Sequence, residues 1–237
     1  MKRVGHKGAH HIAPGNTLAS FDAALAAGVD MIEFDVLPER AGPAHARTGR
    51  LLLAHDYEDA RRPDVIELEA GLAHLCSAPY AGIELDVDLK TVGYEDRVLT
   101  ALRDHGLLDR TLISTMERES LRAIRAAEPG VRLGWSVPKL RRDLLADWWT
   151  RYPTYAVAGV ARRMLPARAA RAIRSGAIDA LMCHWALVTP RLARAVRAAG
   201  GELYVWTVDE APRIAALEAI GVAGVITNDP RLFLTTG

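Results

Sequence analysis

Two short segments carry an unusual load of acid. In Met31-Ile32-Glu33-Phe34-Asp35-Val36 and in Ile83-Glu84-Leu85-Asp86-Val87-Asp88-Leu89-Lys90, apolar and charged residues alternate. Side chains on a strand point to opposite faces in turn, so residues two apart share a face. Ile32, Phe34 and Val36 then form one apolar face, and Ile83, Leu85, Val87 and Leu89 another, each suited to packing under helices. Glu33, Asp35, Glu84, Asp86, Asp88 and Lys90 are left pointing inward. Carboxylates at that density repel one another in a low-dielectric interior and take up protons unless positive charge compensates them. A hard divalent cation is the simplest compensation, because Mg²⁺ and Ca²⁺ favour carboxylate oxygens. Lys7 and Lys90 can neutralise part of the remainder. A structural ion-pair network is the competing account of Glu33 and Asp35. For Glu84 and Asp86, deeper on their strand, pairing with interior arginines or lysines stands equal to ligation.

Two histidines complete the set. His6 ends the strand-like run Arg3–His6, and His55 ends the run Leu51–His55. Imidazole has an unperturbed pKa of about 6.5, which suits proton transfer at neutral pH. His10, His11, His45, His74 and His105 lack this context and read as surface or loop residues, while His184, after a later strand, can reach the same mouth.

Such groups need a frame that brings strand ends together. Strand-like runs at Arg3–His6, Met31–Val36, Gly82–Asp88, Thr111–Thr115, Val131–Val137, Ala177–Cys183, Glu202–Thr207 and Ala223–Thr227 alternate with helix-period segments such as Thr17–Ala27 and Pro190–Ala199. That alternation predicts βα units and a parallel sheet. About eight units in 237 residues favour one α/β domain over residues 1–237, a closed TIM (β/α)8 barrel, over an open sheet. The Gly-x-Gly-x-x-Gly fingerprint of a dinucleotide fold is missing from the first turn. A rim insertion is expected after the second barrel strand, where Pro38–Arg50 and Leu51–His55 intervene, and a long helical connection after the fifth. Active sites of such barrels lie at the C-terminal ends of the strands, where His6 and His55 fall.

Composition excludes other classes. A formal net charge of +1 argues against a broad nucleic-acid grip. No stretch approaches the roughly 18 apolar residues of a membrane span. The basic start, Met1 to His6, is not followed by the apolar core of a signal peptide. Cys76 and Cys183 make no disulfide framework and read as two buried thiols in a reducing compartment, so a cytoplasmic enzyme is expected.

In order along the chain stand His6-Lys7-Gly8, Pro14-Gly15-Asn16-Thr17, Glu33-Phe34-Asp35, His55-Asp56, Asp88-Leu89-Lys90, Ser114-Thr115-Met116, Trp206-Thr207-Val208 and Gly224 to Pro230. This series resembles the motifs of the glycerophosphodiester phosphodiesterases: His-Arg-Gly, Pro-Glu-Asn-Thr, Glu-x-Asp, His-Asp, Glu-x-Lys, a Ser-Phe-like strand end, Trp-Thr-Val and Gly-x-x-Thr-x-x-Pro. The resemblance implies metal-dependent hydrolysis of glycerophosphodiesters to sn-glycerol 3-phosphate and an alcohol. It implies Glu33, Asp35 and Asp88 as ligands of one Mg²⁺ or Ca²⁺, with Mn²⁺ a further candidate. It implies His6 and His55 as general acid and base, Lys7 and Lys90 on the non-bridging oxygens, and Trp206 against the glycerol. A core aromatic is the plainer account of Trp206.

Three departures stand out: Lys7 for the arginine, Gly15 for the glutamate of Glu-Asn-Thr, and Asp88 for the strand glutamate. Lysine offers a point charge where arginine offers a bidentate fork. Two other functions follow from the same residues. Related barrels cleave lysophospholipids in the manner of a phospholipase D, an option kept open by the basic, Trp-bearing segment 138–175 with Arg141, Arg142, Arg151, Arg162, Arg163, Arg168, Arg171, Arg174, Trp148, Trp149 and Tyr155. A solvated helical pair is the plainer account of that segment. The departures also leave room for a phosphodiester-binding module without turnover.

Overall fold

The computed structural model describes residues 1–138 and 151–235. Arg141, Arg142, Trp148 and Trp149 lie outside the described residues, as do the side chains of Arg151 and Tyr155.

Eight parallel strands close on themselves. They are β1 (Lys2–Gly5), β2 (Met31–Pro38), β4 (Glu84–Leu89), β5 (Thr111–Thr115), β6 (Arg132–Val137), β7 (Ala180–His184), β8 (Glu202–Trp206) and β9 (Gly224–Thr227). Strand β1 pairs with both β9 and β2, so the barrel has no free edge. Around it run α1 (Leu18–Ala26), α3 (Leu68–Leu75), α4 (Glu95–Asp104), α5 (Arg118–Ala127), α6 (Arg151–Arg174), α7 (Pro190–Ala198) and α8 (Ala211–Ala219). This is the TIM barrel that the βα alternation predicts. The rim insertion after β2 holds a short helix α2 (Pro43–Thr48) and β3 (Leu51–Leu53), which pairs antiparallel with the end of β2. The long helix α6 supplies the connection after the fifth barrel strand.

The alternation sorts side chains as expected. Ile32, Phe34, Val36, Leu85, Val87 and Leu89 join the outer core, where Phe21 and Ala24 of α1 meet them. Helix α1 is set at its start by a capping box between Thr17 and Ser20, which satisfies backbone donors otherwise left open. A smaller inner core of Val4, Met31, Leu112, Ala180, Met182, Tyr204 and Ile226 fills the barrel. Register then concentrates acid above it, for Glu33 lies opposite Asp86, and Asp35 opposite Asp88.

Glu84 belongs to the other end. Its carboxylate pairs with Lys2 Nζ at 2.7 Å and Arg132 Nη1 at 2.6 Å, and Arg132 also reaches Glu202 at 2.6 Å. That is the pairing alternative, and it takes Glu84 out of the candidate ligands.

Some boundaries differ from expectation. The third barrel strand starts at Glu84 rather than Gly82, because the Ile83 N–H turns back to the Tyr80 carbonyl. The sixth starts at Ala180 rather than Ala177: the Ala177 N–H bonds to Ala172 O and so closes the end of α6, and the Asp179 carboxylate is taken by Arg125 and the Leu133 N–H. The expectation of two buried thiols is corrected as well. Cys183 is buried, but Cys76 is exposed, since it caps the C-terminal end of α3 and its Sγ faces the His105 carbonyl. No helix among the described residues is long and apolar enough to cross a membrane.

Candidate active site

The turn after β1 has an enforced shape. Lys7 adopts φ 52° and Gly8 φ 83°. A Cβ on Gly8 would lie 2.6 Å from the Ser20 backbone, so only glycine fits. A lysine in the left-handed region is uncommon and survives where its surroundings enforce it. Here the Lys7 N–H donates to Glu33 Oε2 at 2.8 Å, and Ser20 Oγ donates to the Lys7 carbonyl at 2.8 Å. The turn therefore wraps the Glu33 carboxylate and fixes the exit of His6.

Asn16 performs the matching task for Asp35. It too has positive φ, at 60°, and its amide grips Asp35 twice. Asn16 Nδ2 donates to Asp35 Oδ2 at 2.9 Å, and the Asp35 N–H donates to Asn16 Oδ1 at 3.1 Å. The structure thus gives a part to a residue that sequence reasoning quoted within a motif without assigning a role. Its position just before the helix cap at Thr17 was the available signal.

Glu33, Asp35 and Asp88 converge, with carboxylate oxygens all within 4.8 Å of one another. Lys90 reaches between them: its ammonium lies 2.5 Å from Asp35 Oδ1 and also bonds to Asp88 Oδ2. Lys7 Nζ stands 3.7 Å from Asp35 Oδ2. Electrostatics divides the acids. Burial alone would raise Asp35, but Lys90 and then Lys7 outweigh it and hold the group ionised below the usual carboxylate range. Burial and the Asp35 charge push Glu33 well above that range. Burial likewise raises Asp88, against the pull of Lys90. Lys90 itself, though half-buried and partly desolvated, is held well above the ordinary lysine value by Asp35, Asp88 and Glu33.

One ammonium does not satisfy this group. Lys90 is shared between Asp35 and Asp88, and a buried oxygen of Asp88 and both oxygens of Asp86 lack a well-aligned hydrogen-bond partner. Unpaired buried carboxylate oxygens are costly, and a cluster of them is the hard-donor set a divalent cation takes. The residues fit such an ion. Glu33, Asp35 and Asp88 form the convergent triad, and Asp86 lies behind it.

Asp86 is completely buried. Burial, with the Ser114 hydroxyl opposing and the Asp88 charge assisting, pushes its pKa up to about 8. A carboxyl raised in the folded state favours folding while protonated and becomes a penalty as pH climbs past its unfolded value towards the folded one. Asp86→Asn should therefore stabilise the metal-free protein by on the order of 3–5 kcal/mol near pH 8 and by little below about pH 4. Urea melts of both proteins in excess chelator at the two pH values measure this.

Glu33, Asp86 and Asp88 face a cavity of about 150 Å³ whose walls include His6, His55, Lys90, Ser114 and Trp206. His6 Nδ1 lies 2.6 Å from Asn228 Oδ1, and Nε2 lies 3.9 Å from Glu33 Oε2. Burial pushes the His6 pKa down to about 4, against the pull of Asp35, so the ring is neutral. His55 sits on the rim insertion, its Nδ1 3.6 Å from Asp56 Oδ2, and burial followed by the Lys90 charge lowers it as well. Trp206 is half-buried at the end of β8, against the inner core, with the His184 ring 5.2 Å away edge-on. His184 does not line the cavity; its Nδ1 accepts from the Ala186 N–H. His55, Asp56 and Asp59 also approach one another at the surface, but Asp56 Oδ1 there accepts the Glu58 and Asp59 N–H groups and shapes the turn.

Gly15 shows what replaces the glutamate expected at its position. A Cβ there would lie 2.7 Å from His10 Nδ1 and 2.9 Å from Lys7 Cβ. The His10 ring occupies that space and accepts the Gly15 N–H at 3.1 Å. Gly15→Ala should cost about 1–3 kcal/mol by overpacking. His10→Ala in the same chain should recover part of that loss, the Lys7 contact remaining, as read by urea melts of the two single variants and the double.

Comparison with known proteins adds four findings. The model of the "Glycerophosphoryl diester phosphodiesterase family" matches residues 6–38 and 77–232. A glycerophosphodiester phosphodiesterase of Caldanaerobacter subterraneus is 23% identical over 265 residues, covering 98% of this chain and 95% of that protein. Among solved structures, an Oleispira antarctica phosphodiesterase in complex with the product sn-glycerol-3-phosphate superposes with a TM-score of 0.73 at 16% identity, covering 100% of this chain and 96% of that one. A Parabacteroides distasonis glycerophosphodiester phosphodiesterase gives a TM-score of 0.74 at 14% identity, with 99% and 98% covered.

Proposed function

Because the chain belongs to the glycerophosphoryl diester phosphodiesterase family and is a phosphoric diester hydrolase, we propose that it cleaves glycerophosphodiesters to sn-glycerol 3-phosphate and an alcohol, using a divalent cation and the His6/His55 pair. The observation that carries the reading is the convergence of Glu33, Asp35 and Asp88, two of which, Glu33 and Asp88, share one cavity wall with His6 and His55. Those three carboxylates would hold the cation, which would supply Lewis-acid neutralisation of phosphoryl oxygen charge. Mg²⁺ and Ca²⁺ both suit an all-oxygen donor set, and Mn²⁺ is tolerated by the same ligands.

The side chains divide the remaining work. His6 is neutral and half-buried, which makes it the base that takes the proton of the attacking water. His55, on the rim, is the acid that returns a proton to the leaving alkoxide, its basicity restored by the anionic substrate. Lys90 keeps Asp35 ionised and bonds to Asp88, while Lys7 places a positive charge beside Asp35. Trp206 offers an apolar wall for the glycerol carbons.

Phosphorus NMR of the products, with glycerophosphocholine and lysophosphatidylcholine supplied side by side, tests the substrate class. Sn-glycerol 3-phosphate from the water-soluble diester is the expected signal. Turnover of the lysolipid alone would move the chain to phospholipase D-type chemistry. Binding without turnover in Mg²⁺, Ca²⁺ and Mn²⁺ alike would make it a binding module.

A further inference from the structure

Behind His6, away from the acids, lies a chain of hydrogen bonds that begins on an exposed carboxylate. Asp209 follows β8, Asn228 follows β9, and His6 follows β1, so three adjacent strand ends bring them together. Asp209 Oδ1 accepts the Asn228 backbone N–H at 2.8 Å and the Thr227 hydroxyl at 3.0 Å. Asp209 Oδ2 accepts Asn228 Nδ2 at 2.7 Å. The other end of the same amide, Oδ1, lies 2.6 Å from His6 Nδ1.

An ionised carboxylate only accepts, so Asp209 dictates which end of the Asn228 amide faces it. The NH₂ group must point at Asp209, and the carbonyl oxygen must point at His6. A carbonyl oxygen only accepts in turn, so the ring nitrogen opposite it must carry the proton. We propose that Asp209 and Asn228 are positioning residues that hold neutral His6 in its Nδ1–H tautomer, leaving Nε2 as the unprotonated nitrogen that faces Glu33 and the cavity. The inference deepens the proposed function, since it rests on His6 serving as the base. A ring fixed by a partner on one nitrogen presents the other with defined orientation, a role second-neighbour carboxylates and carbonyls commonly fill for functional imidazoles.

Donor and acceptor logic makes the proposal sharp. In Asp209→Asn, the new side-chain oxygen must stay where Thr227 and the Asn228 N–H donate. Its NH₂ then faces the Asn228 NH₂, and two donors cannot pair. The Asn228 amide turns over, offers NH₂ to His6 Nδ1, and drives the ring proton to Nε2. Adding Asn228→Asp reverses this. The carboxylate at 228 accepts from the amide at 209 on one side and from His6 Nδ1–H on the other.

The experiment is ¹⁵N NMR of the imidazole nitrogens in the full chain with saturating Mg²⁺, with His6 assigned among eight histidines by comparison with His6→Gln. The wild type should show the Nδ1–H form, Asp209→Asn the Nε2–H form, and the Asp209→Asn/Asn228→Asp pair the Nδ1–H form again. Kinetics should follow: kcat falls about 10- to 100-fold in the single variant with KM within about twofold, and the double variant recovers most of it. Asn228→Leu, which removes the acceptor, serves as the second variant should Asp209→Asn fold poorly, and it should lose the fixed tautomer. An unchanged His6 spectrum in Asp209→Asn or Asn228→Leu overturns the proposal. A tautomer that inverts while kcat stays at the wild-type value leaves the hydrogen-bond chain standing and overturns His6 as the base instead.

Discussion

Replacing His6 by alanine should lower kcat by about 10²- to 10⁴-fold, the usual worth of a positioned proton-transfer group. The His55→Ala variant should fall in the same range. Both changes should leave the melting temperature nearly unchanged. Neither ring is a packing element of the barrel: His6 is half-buried with Asn228 at one ring nitrogen and Glu33 3.9 Å from the other, and His55 is exposed on the rim. The two losses should differ in kind. Burial keeps His6 neutral with a pKa of about 4, so the acid limb of the wild-type kcat/KM profile should extend well below the usual histidine range, and His6→Ala should remove it. A leaving group more acidic than an alkyl alcohol, such as p-nitrophenol, needs less protonation, so it should rescue the general-acid variant and leave the general-base variant impaired. Steady-state kinetics on glycerophosphocholine and on a p-nitrophenyl phosphodiester decide between the roles. Wild-type rates from either alanine variant would remove that histidine from the chemistry.

Excess chelator should reduce turnover to background, with recovery on addition of Mg²⁺, Ca²⁺ or Mn²⁺. The physical ground is the mismatch of charge at the mouth. Glu33, Asp35, Asp86 and Asp88 gather there with Lys90 between them and Lys7 farther off beside Asp35, and several of their oxygens are buried without a well-aligned donor. A cation that enters must displace protons, because burial holds Glu33, Asp86 and Asp88 towards their protonated forms. Metal affinity should therefore rise with pH, and calorimetry in two buffers of different ionisation enthalpy should report proton release on binding. Asp35→Asn should abolish both binding and turnover. It removes the one carboxylate held ionised before metal arrives, and it disrupts the pairing with Asn16. Full activity in excess chelator would refute the metal assignment.

Much of this arrangement is legible in the sequence. Strict alternation in Met31–Val36 and Ile83–Leu89 separates core from interior because a strand offers only two faces, and the structure places every one of those side chains on the expected side. What alternation cannot supply is depth along the barrel. Glu84, Asp86 and Asp88 are indistinguishable by face, yet Glu84 ends among Lys2, Arg132 and Glu202. Only ring closure brings β1, β4, β6 and β8 to a common base. Asn16 and Asn228 were obscure for a related reason, since their value lies in which end of an amide meets which neighbour. Cys76 was misread because cysteine is often buried, while its helix end happens to face solvent.

His6 hangs from β1, which is bonded on both flanks, whereas His55 stands on an excursion whose strand contributes three residues and whose Leu52 rests in a small satellite cluster with Leu37 and Ala54. The two partners in proton transfer consequently have separate foundations, one welded into the ring and the other bracketed onto its lip. Fluctuations that lift the bracket can disengage one partner without loosening a single stave, so evolution can retune the reach of His55 while leaving the cask around His6 untouched.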